Sequence, residues 1–322
     1  MDQHMHNSIF TFLTSQETAQ QFLYQCYQNL PGIKTTDIEL KSYENCQSFM
    51  YYLDHGRKLY KTGEQVDILF RPTLFFYGMS HFMKAVLLTK RPYYPESTKM
   101  LAHGVSSRKR KKKAYTFMDD EVKIQHHGLL PYYAKHILNM ERWPFEKVKM
   151  KSMFSLIPEL HMLFQLNHDE QLVPVGHVHG EILHFPNSLL DQYHITAQAF
   201  IKRIKTFLPK MNSIEIEQNH ISIELAQPFT DINNHPFFMD QKRRIYFPRF
   251  RDIFFPISKL IVHYLLLYNL SMLSRYEAGW WGDLMVTKAE IDYPFIVEYL
   301  QIAAQNVPNL FGSYFIEQTH LR

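Results

Sequence analysis

The stretch FFPISKLIVHYLLLYNLSMLSRYEAGWW, Phe254 to Trp281, decides how the rest of the chain is read. Pro256 suits a first helical turn, where its missing N–H would be unpaired in any case. Behind it, Leu260, Ile261, Tyr264, Leu265, Leu267, Tyr268, Leu270, Met272 and Leu273 cover nearly every face with apolar or aromatic side chains. A helix apolar all round is buried on most sides, so the stretch is the expected central post of the fold. Lys259, His263, Asn269 and Arg275 interrupt it. Its apolar run therefore falls short of the roughly 20 residues that a bilayer requires. The far end sets Arg275, Tyr276 and Glu277 beside Trp281, ionisable groups against aromatic bulk.

Outward from the post, the chain reads mostly as helices. Thr14-Ser15-Gln16-Glu17 has the spacing of a capping box, followed by Ala19, Phe22, Leu23, Cys26 and Tyr27 at helical intervals. A second helix is expected over about 42 to 62 and a third over 72–90, TLFFYGMSHFMKAVLLTK. Gly78, Ser80 and Ala85 make the third helix locally slim, which lets another helix approach closely. His81 and Lys84 stand among its apolar residues, as a core histidine with a snorkelling lysine or as polar groups of a site. Thr287-Lys288-Ala289-Glu290 is a second capping-box pattern, expected to open the last helix.

Two segments break the helical pattern. Tyr115, Phe117, Val122 and Ile124 alternate around Asp119-Asp120-Glu121, which predicts a small β-ribbon near 114–126. Beyond residue 169 the composition shifts. SIEIEQNHISIEL alternates across a short turn as a hairpin, and AQAFIKRIKTFLPKM is amphipathic, giving an inserted α+β section near 170–247. The expected class is α+β, predominantly α-helical. The sections are 1–168, 169–250 and 251–322, the last packing on the first, with a single domain as the alternative.

Composition bounds the function. With 322 residues, 46% hydrophobic and 15% aromatic, the chain buries an ample core and lies far from disordered composition. Only 11 glycines are present, and no GxxxxGK[ST], GxGxxG, HExxH, CxxC or GxSxG occurs. No catalytic signature and no cofactor are therefore expected. Cys26 and Cys46 offer no disulfide framework, and residues 1–14 lack the features of a secretory signal, so a cytoplasmic setting without membrane is expected.

The charge is local. Arg108-Lys109-Arg110-Lys111-Lys112-Lys113 supplies +6, and removing it would turn the net charge of +4 into −2. Such a run is a phosphate-binding candidate through counterion release, or a solvated hairpin tip. His177 and His179 share one strand face and are weak metal candidates, because an H-x-H pair is common by chance in a chain with 18 histidines.

FYGMSHFMKAVLL, His103-Gly104, Gly128 and YNLSMLSRYEAGWW, in that order, resemble the bacterial YaaC-like family over about residues 45–305. The segment LSM-x-x-RYE-x-x-W is the most specific part. The resemblance implies a cytoplasmic bacterial protein and supplies no mechanism. More loosely, the slim helix and His-Gly loop are similar to the helical HEPN group, some of which are RNases. Those need an Arg followed by a His after four to six residues, and no Arg here has one.

Two functional readings stand. The first is a non-enzymatic binding or regulatory protein, contacting RNA or DNA through Arg108 to Lys113, or else a protein partner. The second is an enzyme or small anionic-ligand binder with a site between helix 72–90, the His103-Gly104 loop and Arg275/Glu277. There His103 and Lys84 are candidate catalytic groups, and Arg275, Tyr276, Glu277 and Trp281 candidate ligand contacts. An internal Arg275–Glu277 ion pair is the structural alternative. Oligomeric state is left open.

Overall fold

In the computed structural model, which describes residues 3–107, 115–229 and 235–319, the chain is 58% helical with small antiparallel sheets of three strands each. This is the α+β, mostly helical class that the periodicities indicate. Two compact units form: Met1–Val148 with His263–Arg322, and Lys149–Val262. No helix of the described residues is long and apolar enough to cross a membrane.

The first unit opens with α1 (Gln3–Phe12) and α2 (Gln16–Gln28). Ser15, one residue later than the capping-box pattern placed it, is the N-cap of α2 and accepts from the Thr18 N–H. Then come α3 (Thr35–Gln65) and α4 (Arg71–Lys90), which form a close-packed pair. Their seam is an exchange of rings and glycines. A Cβ added at Gly56 would lie 2.7 Å from the Phe82 ring, at Gly63 2.5 Å from Phe75, and at Gly78 2.7 Å from Tyr60. The three rings stack with one another, Tyr60 on Phe75 at 4.9 Å and on Phe82 at 5.8 Å. Of the small residues of helix 72–90, Gly78 therefore serves close approach.

Past α4 the chain forms β1 (Val105–Ser107), β2 (Glu121–Ile124), α5 (Leu129–His136) and β3 (Lys147–Lys149). The sheet order is β1-β2-β3, with Val105 opposite Ile124. The first strand of the ribbon is thus Val105–Ser107, and Tyr115 and Phe117 are not strand residues. Phe117 is fully buried, and its N–H donates to the Asp292 carboxylate, which also accepts from the Met118 N–H at 3.2 Å. A side-chain anchor to a distant helix replaces a strand partner there.

The second unit continues with α6 (Met150–Ser155), α7 (His161–Leu166), β4 (Leu172–His177), β5 (Ile182–Pro186), α8 (Ser188–Tyr193) and α9 (Ala197–Ile204). It is completed by β6 (Met211–Ile216), β7 (His220–Leu225), β8 (Phe238–Met239) and β9 (Arg244–Pro248), in two sheets ordered β4-β9-β8 and β5-β7-β6. The expected hairpin is β6–β7, with Ile214 opposite Ile223 and Ile216 opposite Ile221. Phe185, Phe200, Phe237, Phe247 and Tyr193 fill the core of this unit. The Tyr193 hydroxyl donates to the Pro248 carbonyl at 3.0 Å.

The central stretch forms α10 (Lys259–Tyr276) and α11 (Ala278–Thr287), and the last helix is α12 (Asp292–Gln318). Residues 260–271 are all buried, as an all-round apolar helix requires. Its buried polar groups find partners in the first unit. The Asn269 amide donates to Asp120 at 2.9 Å, and the Tyr264 hydroxyl to the His103 carbonyl at 2.8 Å. The second capping box does not form: Thr287 is the last residue of α11, Lys288 ends it in the left-handed conformation at φ 53°, and α12 starts at Asp292.

The glycine seam gives a signed test. Gly78→Ala gains about 1 kcal/mol of helix propensity but must displace the Tyr60 ring, and overpacking costs about 1–3 kcal/mol. We expect it to be neutral to destabilising by about 2 kcal/mol. Gly282→Ala, on α11 with nothing among the described residues within 4 Å, should instead stabilise by about 0.5–1 kcal/mol. Chemical denaturation of both variants checks the contrast, and a stabilised Gly78→Ala protein would refute the seam.

Candidate functional site

α4 is buried along most of its length, but Tyr77, His81 and Lys84 are only half-buried. Their spacing of four and three residues sets them on one face, which flanks the glycine seam. His81 lies edge-on to His55 at 5.3 Å, and the Lys84 ammonium lies 5.6 Å from the centre of the Tyr52 ring.

The His103 loop reaches the same region of the first unit. Gly104 at φ 81° and Gly128 at φ 123° adopt conformations that suit glycine, and a Cβ on Gly128 would lie 2.5 Å from the Gly104 Cα. The loop is fastened by Leu129 N–H to the Ala102 carbonyl at 2.7 Å and Leu130 N–H to the His103 carbonyl at 3.2 Å. This holds the His103 ring 4.8 Å from Phe76, 6.1 Å from Tyr77 and 6.0 Å from Tyr268.

Arg275 completes the group from the end of α10. Its Nη1 donates to the Tyr77 hydroxyl at 3.0 Å and its Nε to the Ser271 carbonyl at 3.0 Å. The guanidinium lies over the Tyr77 ring at 5.4 Å and the Tyr276 ring at 5.1 Å. The ion pair with Glu277 is not formed. Residues two apart on a helix point in different directions, and the chain leaves the helix at Glu277, where φ is −120°.

Among the described residues no carboxylate lies within ion-pair distance of Arg275 or Lys84. Several other cations of the protein do have one: Lys259 pairs with Glu159 at 2.9 Å, Arg244 with Asp240 at 2.8 Å, and Arg91 with Glu96. The electrostatics follow. Burial pushes the Lys84 ammonium below its ordinary value. Burial, then Arg275 and Lys84, push the His103 imidazole down as well. Burial lowers His81 to about 4, with Lys84 and His55 adding to it. Two cations therefore stand beside imidazoles whose neutral form is favoured, an arrangement that attracts anions.

The other predicted residues fall elsewhere. Tyr276 is 66% exposed, whereas Trp281 is 2% exposed and donates its indole N–H to the Leu69 carbonyl at 3.1 Å. Glu277 raises the Tyr115 hydroxyl, after burial and Asp120. Arg108 to Lys113 lie outside the described residues. His177 ends β4 opposite Arg244, and the His179 ring accepts from Arg243 Nη1 at 2.9 Å. No group of three metal-binding side chains occurs among the described residues. Tyr77 and Tyr52 were missed, although the Tyr77–His81–Lys84 spacing was visible.

An α+β protein with a helical unit that gathers unpaired cations around one face of a buried helix is the class these features define. The chain belongs to the YaaC-like protein family, whose model matches residues 11–315. No curated protein and no solved structure gives a match.

The lowered His81 predicts a pH response. Its neutral form is favoured in the fold, so its contribution is complete above the ordinary value of 6.5 and is lost as pH falls towards about 4. His81→Phe should flatten the decline in melting temperature between pH 7 and pH 4. An unchanged decline would show that other groups carry it.

Proposed function

We propose that the first unit binds a small anionic ligand, phosphate- or carboxylate-bearing, at Tyr77, Lys84, His103 and Arg275. The observation that carries this is the pair of half-buried cations, Lys84 and Arg275, without a carboxylate partner. A partly desolvated charge without a counter-charge is unfavourable, and an anion in reach of both would remove that cost. Arg275 supplies a planar fork and Lys84 a point charge. Neutral His103 has one ring N–H with which to donate a hydrogen bond to the anion. This is a binding role, and nothing in it requires a chemical step.

Melting of the full chain with inorganic pyrophosphate tests the reading. A ligand at 100 times its Kd stabilises by about 2.7 kcal/mol, an upward shift of several degrees in a chain of this size. Arg275→Gln and Lys84→Met should each abolish most of that shift. Lys84→Met should also melt no lower than the wild type without ligand, because it removes a desolvated charge. If pyrophosphate and citrate both leave the melting temperature unchanged, or the variants respond as the wild type does, the reading fails.

The run Arg108 to Lys113 supports a second reading, contact with RNA or DNA, because six positive charges are concentrated in six residues. The chain returns to described structure at Tyr115, whose hydroxyl donates to Asp120 at 2.8 Å and whose ring meets Trp280 edge-on at 4.8 Å. Replacing all six with Gln or Ser should eliminate nucleic-acid binding. Wild-type affinity should fall with salt by a log–log slope of about −0.7 to −0.9 per phosphate contacted. Absence of binding at low salt would dismiss this reading and leave the first untouched.

A further inference from the structure

A cavity of the first unit, of about 520 Å³, opens between α1, α3 and α12. That volume lies within the range of small-molecule sites, roughly 300–1,000 Å³. It shares no lining residue with the Lys84–Arg275 group. Phe10, Tyr60 and Phe82, each no more than 3% exposed, form its floor. Phe10 stacks on Phe82 at 5.3 Å, so the floor is a continuous aromatic surface suited to a flat apolar body.

One hydrogen-bonding group of the lining lacks the partner that burial calls for, and a second loses its helical donor. The Tyr60 hydroxyl is buried and has no hydrogen-bond partner among the described residues. Buried hydroxyls are rarely left so, and each such case calls for an explanation. The other group follows from Pro308, which lies inside α12 and has no N–H to donate to the Ala304 carbonyl one turn earlier. Ala304 and Pro308 both line the cavity. A donor and an acceptor thus stand at the walls of one cavity.

The rim carries charge of both signs, Asp54 and Glu64 beside Arg57, Lys58 and Lys61, with the cations one more than the carboxylates. Arg57 and Lys61 are four residues apart on α3 and share a face. The Arg57 guanidinium lies over the Phe10 ring at 5.9 Å, and its one hydrogen bond is a long one of 3.4 Å to the Thr11 hydroxyl. Lys61 has no ion pair among the described residues, whereas Lys58 beside it is held by Asp54 at 2.6 Å.

We propose that this cavity binds a small aromatic carboxylate with a hydroxyl at its far end. The carboxylate meets Arg57 and Lys61, the ring lies on the Phe10–Phe82 floor, and the hydroxyl pairs with Tyr60 and the Ala304 carbonyl. The proposal is independent of the anion site on α4.

Titration calorimetry of the full chain with 4-hydroxybenzoate and with benzoate tests it. The hydroxylated probe should bind about tenfold more tightly, since its hydroxyl satisfies groups that benzoate leaves unpaired. Arg57→Gln, at the rim, should weaken both probes by about tenfold through loss of a charge-assisted contact. Tyr60→Phe keeps the ring and deletes the hydroxyl. Without ligand it should melt higher than the wild type, and it should no longer distinguish the two probes. The proposal is overturned if neither probe binds at millimolar concentration, if Arg57→Gln leaves both affinities unchanged, or if pyrophosphate displaces the probe. It is equally overturned if Tyr60→Phe melts lower than the wild type, or still prefers the hydroxylated probe.

Discussion

The exchange of rings and glycines between α3 and α4 is the contact on which the candidate site depends. A helix has one rotational setting once its seam is fixed, because 3.6 residues per turn assign every other position to a direction. Phe75, Gly78 and Phe82 are turned onto α3, where each meets a complementary partner with no room for an extra methyl group. Tyr77, His81 and Lys84 then lie on a flank of the seam, with Tyr77 against His103 and Arg275 and with His81 and Lys84 against His55 and Tyr52 of α3. A helix whose buried face was only approximately apolar could rotate by tens of degrees. Interlocked rings and glycines cannot, since the contact exists in one register only.

Periodicity made much of this fold legible. An eighteen-residue helix without a polar face could only be an interior one, and residues 260–271 are buried without exception. The β6–β7 hairpin followed from strict alternation, and the slimness of helix 72–90 from its small residues. Anchors between distant positions were not legible. Phe117 alternates with Tyr115 as a strand residue would, yet its N–H is taken by Asp292, 175 positions away. Thr287 and Glu290 have the spacing of a cap, but the left-handed turn at Lys288 ends one helix there and leaves the next to begin later.

The site was legible as a set of residue types and not as a set of pairs. Lys84, His103 and Arg275 stood out as polar groups in apolar surroundings, and all three belong to the region around α4. The expected Arg275–Glu277 pair assumed that neighbours in sequence neutralise each other. In the structure Arg275 turns back along its own helix to Ser271 and across to Tyr77, so the charge is hydrogen-bonded without being neutralised.

That leaves the question of why no carboxylate serves these cations, and the acidic residues of the same unit answer it. Asp292 is buried and pushed above its ordinary value by that burial, against the two backbone N–H groups of 117 and 118 that hold it in place and lower it. Asp120 accepts from the Tyr115 hydroxyl, the Asn269 amide and the Glu121 N–H. Both carboxylates are committed to fastening the segment that follows the basic run, where backbone donors and neutral side chains surround them. Negative charge is thereby concentrated at the 115–121 turn, and positive charge is left without a counter-charge along α4. A fold that wanted only stability would bring the two together, since a half-buried cation gains from any carboxylate in reach. Keeping them apart costs stability in the empty protein, a cost that an anion bound at the proposed site would remove.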